Sequence, residues 1–260
     1  MILVTGATGN VGRHVVAGLR EAGGAVRTLS RRAGTGDLTR PDTLRAALAD
    51  VDTVFLLWPG PATAGIEAAV DLITGQARRV VYLSARNPEY GFWGQVEKAV
   101  AATAEQWTFI RPGGFATNTL AWAPMIRADG AVRWPYGAAA RSLIHERDIA
   151  DVAVRALLED GHAEQAYEIT GPASITQVEQ VRSIGEAIGR DLSWIELPSG
   201  LARAQLLQEW GDEGFVDSAL RHWASLVDRP EPVTDTLPRL TGRSARPYAQ
   251  WARDHAADFR

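Results

Sequence analysis

Gly6, Gly9 and Gly12 stand three residues apart near the start of the 260-residue chain, in the run Val4-Thr-Gly-Ala-Thr-Gly-Asn-Val-Gly12. Glycine lacks Cβ, so this spacing lets a chain turn sharply, bring its backbone against a ligand and pack a helix close to the preceding strand. Ile2 to Thr5 are apolar and β-branched without alternation, the pattern of a buried strand. Val11, Val15, Val16 and Leu19 recur at helical spacing. The first turn of such a helix offers backbone N–H groups and a partial positive charge, which suit a pyrophosphate. Strand, glycine turn and helix in this order predict a dinucleotide site with Gly6, Gly9 and Gly12 at its centre.

A second signal follows the strand expected over Val26–Leu29. A carboxylate there would accept from the adenosine ribose of NAD, whereas arginine pairs with the 2′-phosphate of NADP. This chain has Leu29-Ser-Arg-Arg32, and its next acid is Asp37 in Gly36-Asp-Leu38. The pattern favours NADPH over NADH, with Arg31 and Arg32 on the phosphate and Asp37 or Leu38 near adenine. Two adjacent arginines can also be no more than a solvated turn.

The elements that must position these groups alternate over the first 113 residues. Strands are expected over Ile2–Thr5, Val26–Leu29, Thr53–Leu57, Val80–Leu83 and Trp107–Ile110. Helices fall over Asp42–Ala49, around Ile66–Ile73 and around Val96–Thr103. This is the order of a Rossmann-type, doubly wound α/β sheet of parallel strands. Beyond it, Phe115–Ile126 looks helical until Pro124 perturbs it, Val132–Trp134 and Leu143–His145 read as short strands, and Asp148 reads as the cap of a helix to Leu158. Tyr167–Ile169 would complete the sheet. Thr176-Gln-Val-Glu179 is a capping box for a helix ending at Ile188 before Gly189. Leu192–Leu197 reads as a half-exposed strand, followed by helices over Leu201–Trp210, Phe215–Leu226 and Tyr248–Ala256. The expected division is a dinucleotide-binding domain over 1–170, with 115–140 contributing to the substrate cleft, and a small, mostly helical substrate lobe over 171–260 at the carboxyl edge of the sheet.

Composition narrows the function classes. A net charge of −4 gives no electrostatic case for nucleic acid or an anionic membrane. No apolar run is long enough to span a bilayer, the opening residues read as a strand and not a leader, and the cytoplasm is the expected compartment. With no cysteine there is no disulfide or thiolate chemistry, and five scattered histidines predict no metal centre.

Taken in order, several blocks resemble the NmrA-like branch of the atypical short-chain dehydrogenase/reductases. They are the glycine segment, Gly36-Asp-Leu38, Val54-Phe-Leu-Leu57, Val80-Val-Tyr-Leu-Ser84, Thr108-Phe-Ile-Arg-Pro-Gly-Gly-Phe115 with Asn118, Ile144-His-Glu-Arg-Asp-Ile149 and Thr170-Gly-Pro172. The branch includes NAD(P)H-dependent quinone reductases, azoreductase-like proteins and non-catalytic redox-sensing regulators. The resemblance implies that Thr8, Gly9, Asn10 and Val11 line the pyrophosphate loop, and that Leu57 and Trp58 flank the ribose and nicotinamide. It places Ser84 beside the nicotinamide and makes Pro112, Gly113 and Phe115 a cofactor wall. Asn118, Trp122 and His145 would face the substrate. Two departures stand out. The link from Arg32 to Asp37 is too short for the usual third strand, which leaves the second strand near an open edge. The Tyr-x-x-x-Lys pair, in which lysine lowers the tyrosine pKa, is also missing: Gly94 stands four residues after Tyr90, and Lys98 eight.

Hydride transfer needs chiefly positioning in a dry pocket. A quinone oxygen then requires a hydrogen-bond donor more than a strong acid. Ser84, Asn118 and His145 are the candidate catalytic donors, with Tyr90 and Lys98 behind them; Lys98 could instead reach the cofactor ribose. Each has a plain structural alternative: a serine ending a strand, a core histidine, a solvated lysine. Nine tryptophans are the oddity of the composition. Trp58, Tyr90, Phe92, Trp93, Phe115, Trp122 and Trp134 fall in segments expected to border the cleft and would suit a flat aromatic substrate. The same residues could equally fill the interior. Trp107 reads as core, and Trp194, Trp210, Trp223 and Trp251 as packing within the later lobe. The expected function is an NADPH-dependent reductase of a quinone or polycyclic aromatic ketone, such as a hydroxyanthraquinone polyketide intermediate. A general quinone or azo reductase and a non-catalytic NAD(P) sensor are the alternatives.

Overall fold

The computed structural model describes residues 1–260, the side chain of Tyr90 excepted. In chain order the elements begin β1 (Ile2–Thr5), α1 (Gly12–Glu21), β2 (Val26–Leu29), α2 (Arg45–Leu48), β3 (Thr53–Leu56), α3 (Ile66–Thr74), β4 (Arg79–Leu83), α4 (Phe92–Thr103) and β5 (Gln106–Pro112). They continue with α5 (Ala123–Asp129), β6 (Ala131–Trp134), β7 (Ala140–Arg141), α6 (Glu146–Leu158), β8 (Gln165–Ile169), β9 (Ile175–Thr176) and α7 (Gln177–Ile188). The last are β10 (Ser193–Glu196), α8 (Ser199–Trp210), α9 (Glu213–Asp228), α10 (Thr236–Thr241) and α11 (Tyr248–Asp254).

Two compact units share these elements. The first comprises Met1–Gly113, Glu146–Ile169 and Asp235–Ser244; the second comprises Gly114–His145, Thr170–Thr234 and Ala245–Arg260. The chain therefore passes from one unit to the other at 113/114, 145/146, 169/170, 234/235 and 244/245.

The first unit holds a six-stranded parallel sheet in the order β2-β1-β3-β4-β5-β8. Its central strands are buried and unalternated because helices cover both faces. Val54, Leu56, Val80 and Tyr82 pack in one cluster with Ile66, Val70 and Ile73 of α3 and Val96 and Val100 of α4. The alternate residues Phe55 and Val81 are also buried, and α1 packs against α6. Each fully buried aliphatic side chain contributes about 2 kcal/mol. β2 stands at the edge, with no third strand beyond it. The short link closes on itself instead: Thr35 N–H donates to Ser30 O at 3.2 Å, and Ser30 N–H to Thr35 Oγ1 at 2.9 Å. The expected Asp42–Ala49 helix is split into a 3₁₀ turn over Pro41–Thr43 and α2.

The second unit is mostly helical, with two short ladders, β6–β10 parallel and β7–β9 antiparallel. α7 matches its sequence signals. Glu179 N–H donates to Thr176 Oγ1 at 3.2 Å, Thr176 N–H to Glu179 Oε2 at 2.7 Å, and the helix ends at Gly189 with φ +69°. Three expectations are corrected. Leu143–His145 forms one bridge, Phe115 to Ile144, and the strand lies earlier, at Ala140–Arg141. Asp148 does not precede its helix but lies within the first turn of α6, which begins at Glu146. Pro124 opens α5 after a 3₁₀ segment over Ala116–Trp122, a position where its missing N–H is no loss. Among the described residues no helix is long and apolar enough to cross a membrane.

Candidate functional site

The glycine turn is built around space that side chains would fill. Gly6 has φ +59°, which L-residues rarely adopt, and its carbonyl accepts from Gly9 N–H at 2.9 Å. A Cβ on Gly12 would fall 2.2 Å from Gly6 O, so no other residue fits there. Thr5 Oγ1 accepts from Leu57 N–H at 2.7 Å, tying the end of β1 to the end of β3, and Leu57 packs over Gly6. No side chain caps α1, so the backbone donors of its first turn have no competing side-chain acceptor.

This turn opens into a hollow of about 290 Å³ wholly within the first unit. Gly6, Thr8, Gly9 and Leu57 form one wall, and Ser30, Arg31, Arg32, Asp37 and Leu38 the other. Thr8 Oγ1 and Ser30 Oγ meet at 3.1 Å across it. Arg31 and Arg32 are exposed at its rim. Asp37 turns back on its own loop, accepting from Thr39 N–H at 3.0 Å and Thr39 Oγ1 at 2.8 Å. Two positively charged side chains beside a glycine cradle fit a phosphorylated dinucleotide. Sequence reading missed Leu29, Ser30 and Pro59 as lining residues. The run Leu29-Ser-Arg-Arg32 held the signal for Ser30, and the Trp58-Pro-Gly-Pro61 stop held it for Pro59. Asn10 is exposed and Val11 buried, and neither lines the hollow.

At the carboxyl end of the same sheet Ser84 follows β4, with its N–H on Ile110 O at 2.8 Å. It is 1% exposed, and its Oγ has no partner among the described residues. The Tyr82 hydroxyl is likewise buried without a partner; burial and then the Glu97 charge push its pKa well above the usual tyrosine value, so it stays a neutral phenol. Arg111 holds Glu97 in a two-pronged pair at 2.9 and 2.6 Å. Arg86 N–H donates to Pro112 O at 2.9 Å, its guanidinium reaches Glu168 at 3.2 Å, and Gly113 N–H donates to Ile169 O at 3.0 Å. The segment Pro112–Gly113 is thus pinned to the loop after β4 and to the end of β8.

The remaining candidates divide between the two units. Trp58 is 4% exposed, packs in the core and donates Nε1–H to Ala62 O at 2.8 Å, so it braces its own loop. Phe92 and Trp93 stack on each other at 4.4 Å. Lys98 is exposed on α4 in a groove with Glu67 and Asp71, not in the glycine-turn hollow. Tyr90, expected near substrate, has its side chain outside the described residues. In the second unit Phe115 is half-buried and Asn118 exposed. His145 is buried, with Nε2 at 3.3 Å from Asp254 Oδ2. Trp122 and Trp134 lie in that unit's core, edge to face with ring centroids 6.4 Å apart.

Comparison with known proteins agrees with this geometry. The NAD dependent epimerase/dehydratase family model matches residues 2–85, the span of the glycine turn, the arginine pair and Ser84. The chain is 38% identical to (4-alkanoyl-5-oxo-2,5-dihydrofuran-3-yl)methyl phosphate reductase of Streptomyces griseus, over 100% of this chain and 99% of that one. It is 34% identical to the NAD(P)H azoreductase of Xenophilus azovorans, again over 100% and 99%. Among solved structures it resembles an NADPH-dependent quinone oxidoreductase of Escherichia coli complexed with NADPH, with TM-score 0.80 and 19% identity over 98% of this chain and 99% of that chain. The chain belongs to the NAD(P)-dependent short-chain dehydrogenase/reductases, in their NmrA-like atypical branch of oxidoreductases.

Proposed function

We propose that this oxidoreductase uses NADPH to reduce a conjugated acceptor of the quinone or polycyclic aromatic ketone class, the hydroxyanthraquinones among them. One observation carries the coenzyme choice: Arg31 and Arg32 rim the glycine-turn hollow, while Asp37 is engaged by its own loop. An arginine fork pairs with a 2′-phosphate, and an acid needed for an NAD ribose is occupied elsewhere. When bound, NADPH supplies a hydride from its nicotinamide. The chain's own residues do the rest. Gly6, Gly9 and Gly12 bring backbone against the pyrophosphate, and Arg31 and Arg32 neutralise the phosphate. Ser84 offers a buried hydroxyl with no competing acceptor, suited to donate a hydrogen bond to the acceptor oxygen as negative charge grows there.

The relatives support an easily reduced, conjugated substrate, since an azo compound, a quinone and an unsaturated furanone are all electron-poor π systems. The absence of Tyr-x-x-x-Lys favours a second reading, a non-catalytic coenzyme sensor. Anaerobic mixing of protein, NADPH and a panel of naphthoquinones and anthraquinones separates the two. The reductase reading expects NADPH absorbance to fall with turnover, and Ser84→Ala to lower kcat by about 100-fold. Tight NADPH binding without oxidation by any acceptor would instead support the sensor.

A further inference from the structure

Buried polar atoms in folded proteins almost always have partners; in the second unit, Nε of the half-buried Arg141 does not. The residue closes β7, its Nε is sealed from solvent, and among the described residues no oxygen hydrogen-bonds its guanidinium and no carboxylate forms an ion pair with it. The guanidinium fills the space beside Gly114: a Cβ there would lie 2.3 Å from Nη2, 2.7 Å from Cζ and 2.5 Å from Leu143 Cδ2. The acid whose charge it feels is Glu231, but that carboxylate is buried and accepts from Ser142 N–H at 2.9 Å and Ser142 Oγ at 3.2 Å. Burial lowers the guanidinium pKa and Glu231 only opposes the effect, so the charge is incompletely met within the protein. His222 feels the same charge, its pKa lowered by desolvation and then by Arg141.

We propose that Arg141 is an oxyanion site of the second unit that seats the carboxylate or phosphoryl group of a small organic anion. Its planar fork matches both groups with two parallel hydrogen bonds. Gly114 leaves the fork uncovered by any side chain at that position.

The test is equilibrium titration of the full chain, without coenzyme, using anthraquinone-2-carboxylate and its neutral 2-hydroxymethyl analogue, with acetate and inorganic phosphate as competitors. The wild type is expected to bind the carboxylate ten- to a hundredfold more tightly, in line with a charge-assisted pair. Arg141→Met should erase that preference while binding the neutral analogue within about twofold, and Arg141→Lys should keep only part of it. Because the fork has no protein partner, Arg141→Met should melt no lower than wild type, whereas a structural arginine would lower Tm. Gly114→Ala should displace the fork and weaken the carboxylate with the charge still present. Whichever of acetate and phosphate competes at the lower concentration identifies the group. Equal wild-type affinity for the two analogues, a preference that survives Arg141→Met, a lowered Tm in that variant, or no competition by either anion would overturn the proposal. No coenzyme is present, so these results are independent of whether quinones turn over.

Discussion

Around Gly12 the first unit leaves side chains out; around Trp134 the second packs them in. At the glycine turn a Cβ would strike Gly6 O at 2.2 Å, and the space kept clear opens into a hollow rimmed by two arginines. In the second unit Trp134 touches Trp122 at 6.4 Å and Trp223 at 5.5 Å, while Trp122 meets Trp194 at 5.9 Å and Trp223 meets Trp210 at 6.2 Å. The aromatic run is self-satisfied; the glycine turn is not. Residues that look chemical in a sequence thus divide by what completes them, a neighbour in the fold or a molecule from outside.

That contrast is best broken from the packed side first. Trp134→Ala should cost about 4 kcal/mol of stability, because a large buried side chain is lost and the cavity collapses only partly. The affinity for NADPH of the folded protein should stay within about twofold, as measured by urea unfolding and by titration. Gly12→Ala should do the reverse in kind. The forced backbone shift costs about 3 kcal/mol, and NADPH binding is lost even where the chain remains folded. If Gly12→Ala bound NADPH normally, the turn would be ordinary packing, and the contrast would disappear.

A smaller effect sharpens the same comparison at a purely structural motif. Thr176→Ala should cost about 1 kcal/mol by removing the cap of α7 and leave coenzyme affinity untouched. The Glu179 carboxyl is held below its usual range by the Thr176 N–H and hydroxyl. Its contribution is therefore full above the ordinary glutamate pKa and fades as pH falls through the lowered folded value. Thermal melts of wild type and Thr176→Ala should converge toward low pH for that reason.

The features legible in the sequence were those whose cause is local. β1, β2 and the end of α7 at Gly189 follow from a few adjacent residues, as does the missing third strand from the brevity of Arg32–Asp37. Arg31, Arg32, Asp37, Leu38 and Leu57, which line the hollow beside the glycine turn, were readable because they stand at strand ends that the chain marks plainly. What escaped depends on distant partners. Nothing near Trp58 shows that its indole bonds Ala62 O inside a core, or near Trp122 that Trp134 and Trp194 await it. β6 pairs with β10 some sixty residues later, and Asp235–Ser244 returns to the first unit after a long absence. Arg141 is silent in the sequence because an arginine carries no sign of whether a carboxylate will meet it.

The central claim is that a phosphorylated dinucleotide lies on the glycine turn with its extra phosphate on Arg31. Calorimetric titration of the wild type and Arg31→Ala with NADPH and NADH tests it most directly. The account predicts saturable NADPH binding at least about tenfold tighter than NADH, with Arg31→Ala removing most of that advantage and leaving NADH unchanged, as loss of a charge-assisted pair requires. Equal affinity for the two coenzymes, or equal losses in the variant, would contradict the phosphate assignment, and no binding of either would contradict the site itself.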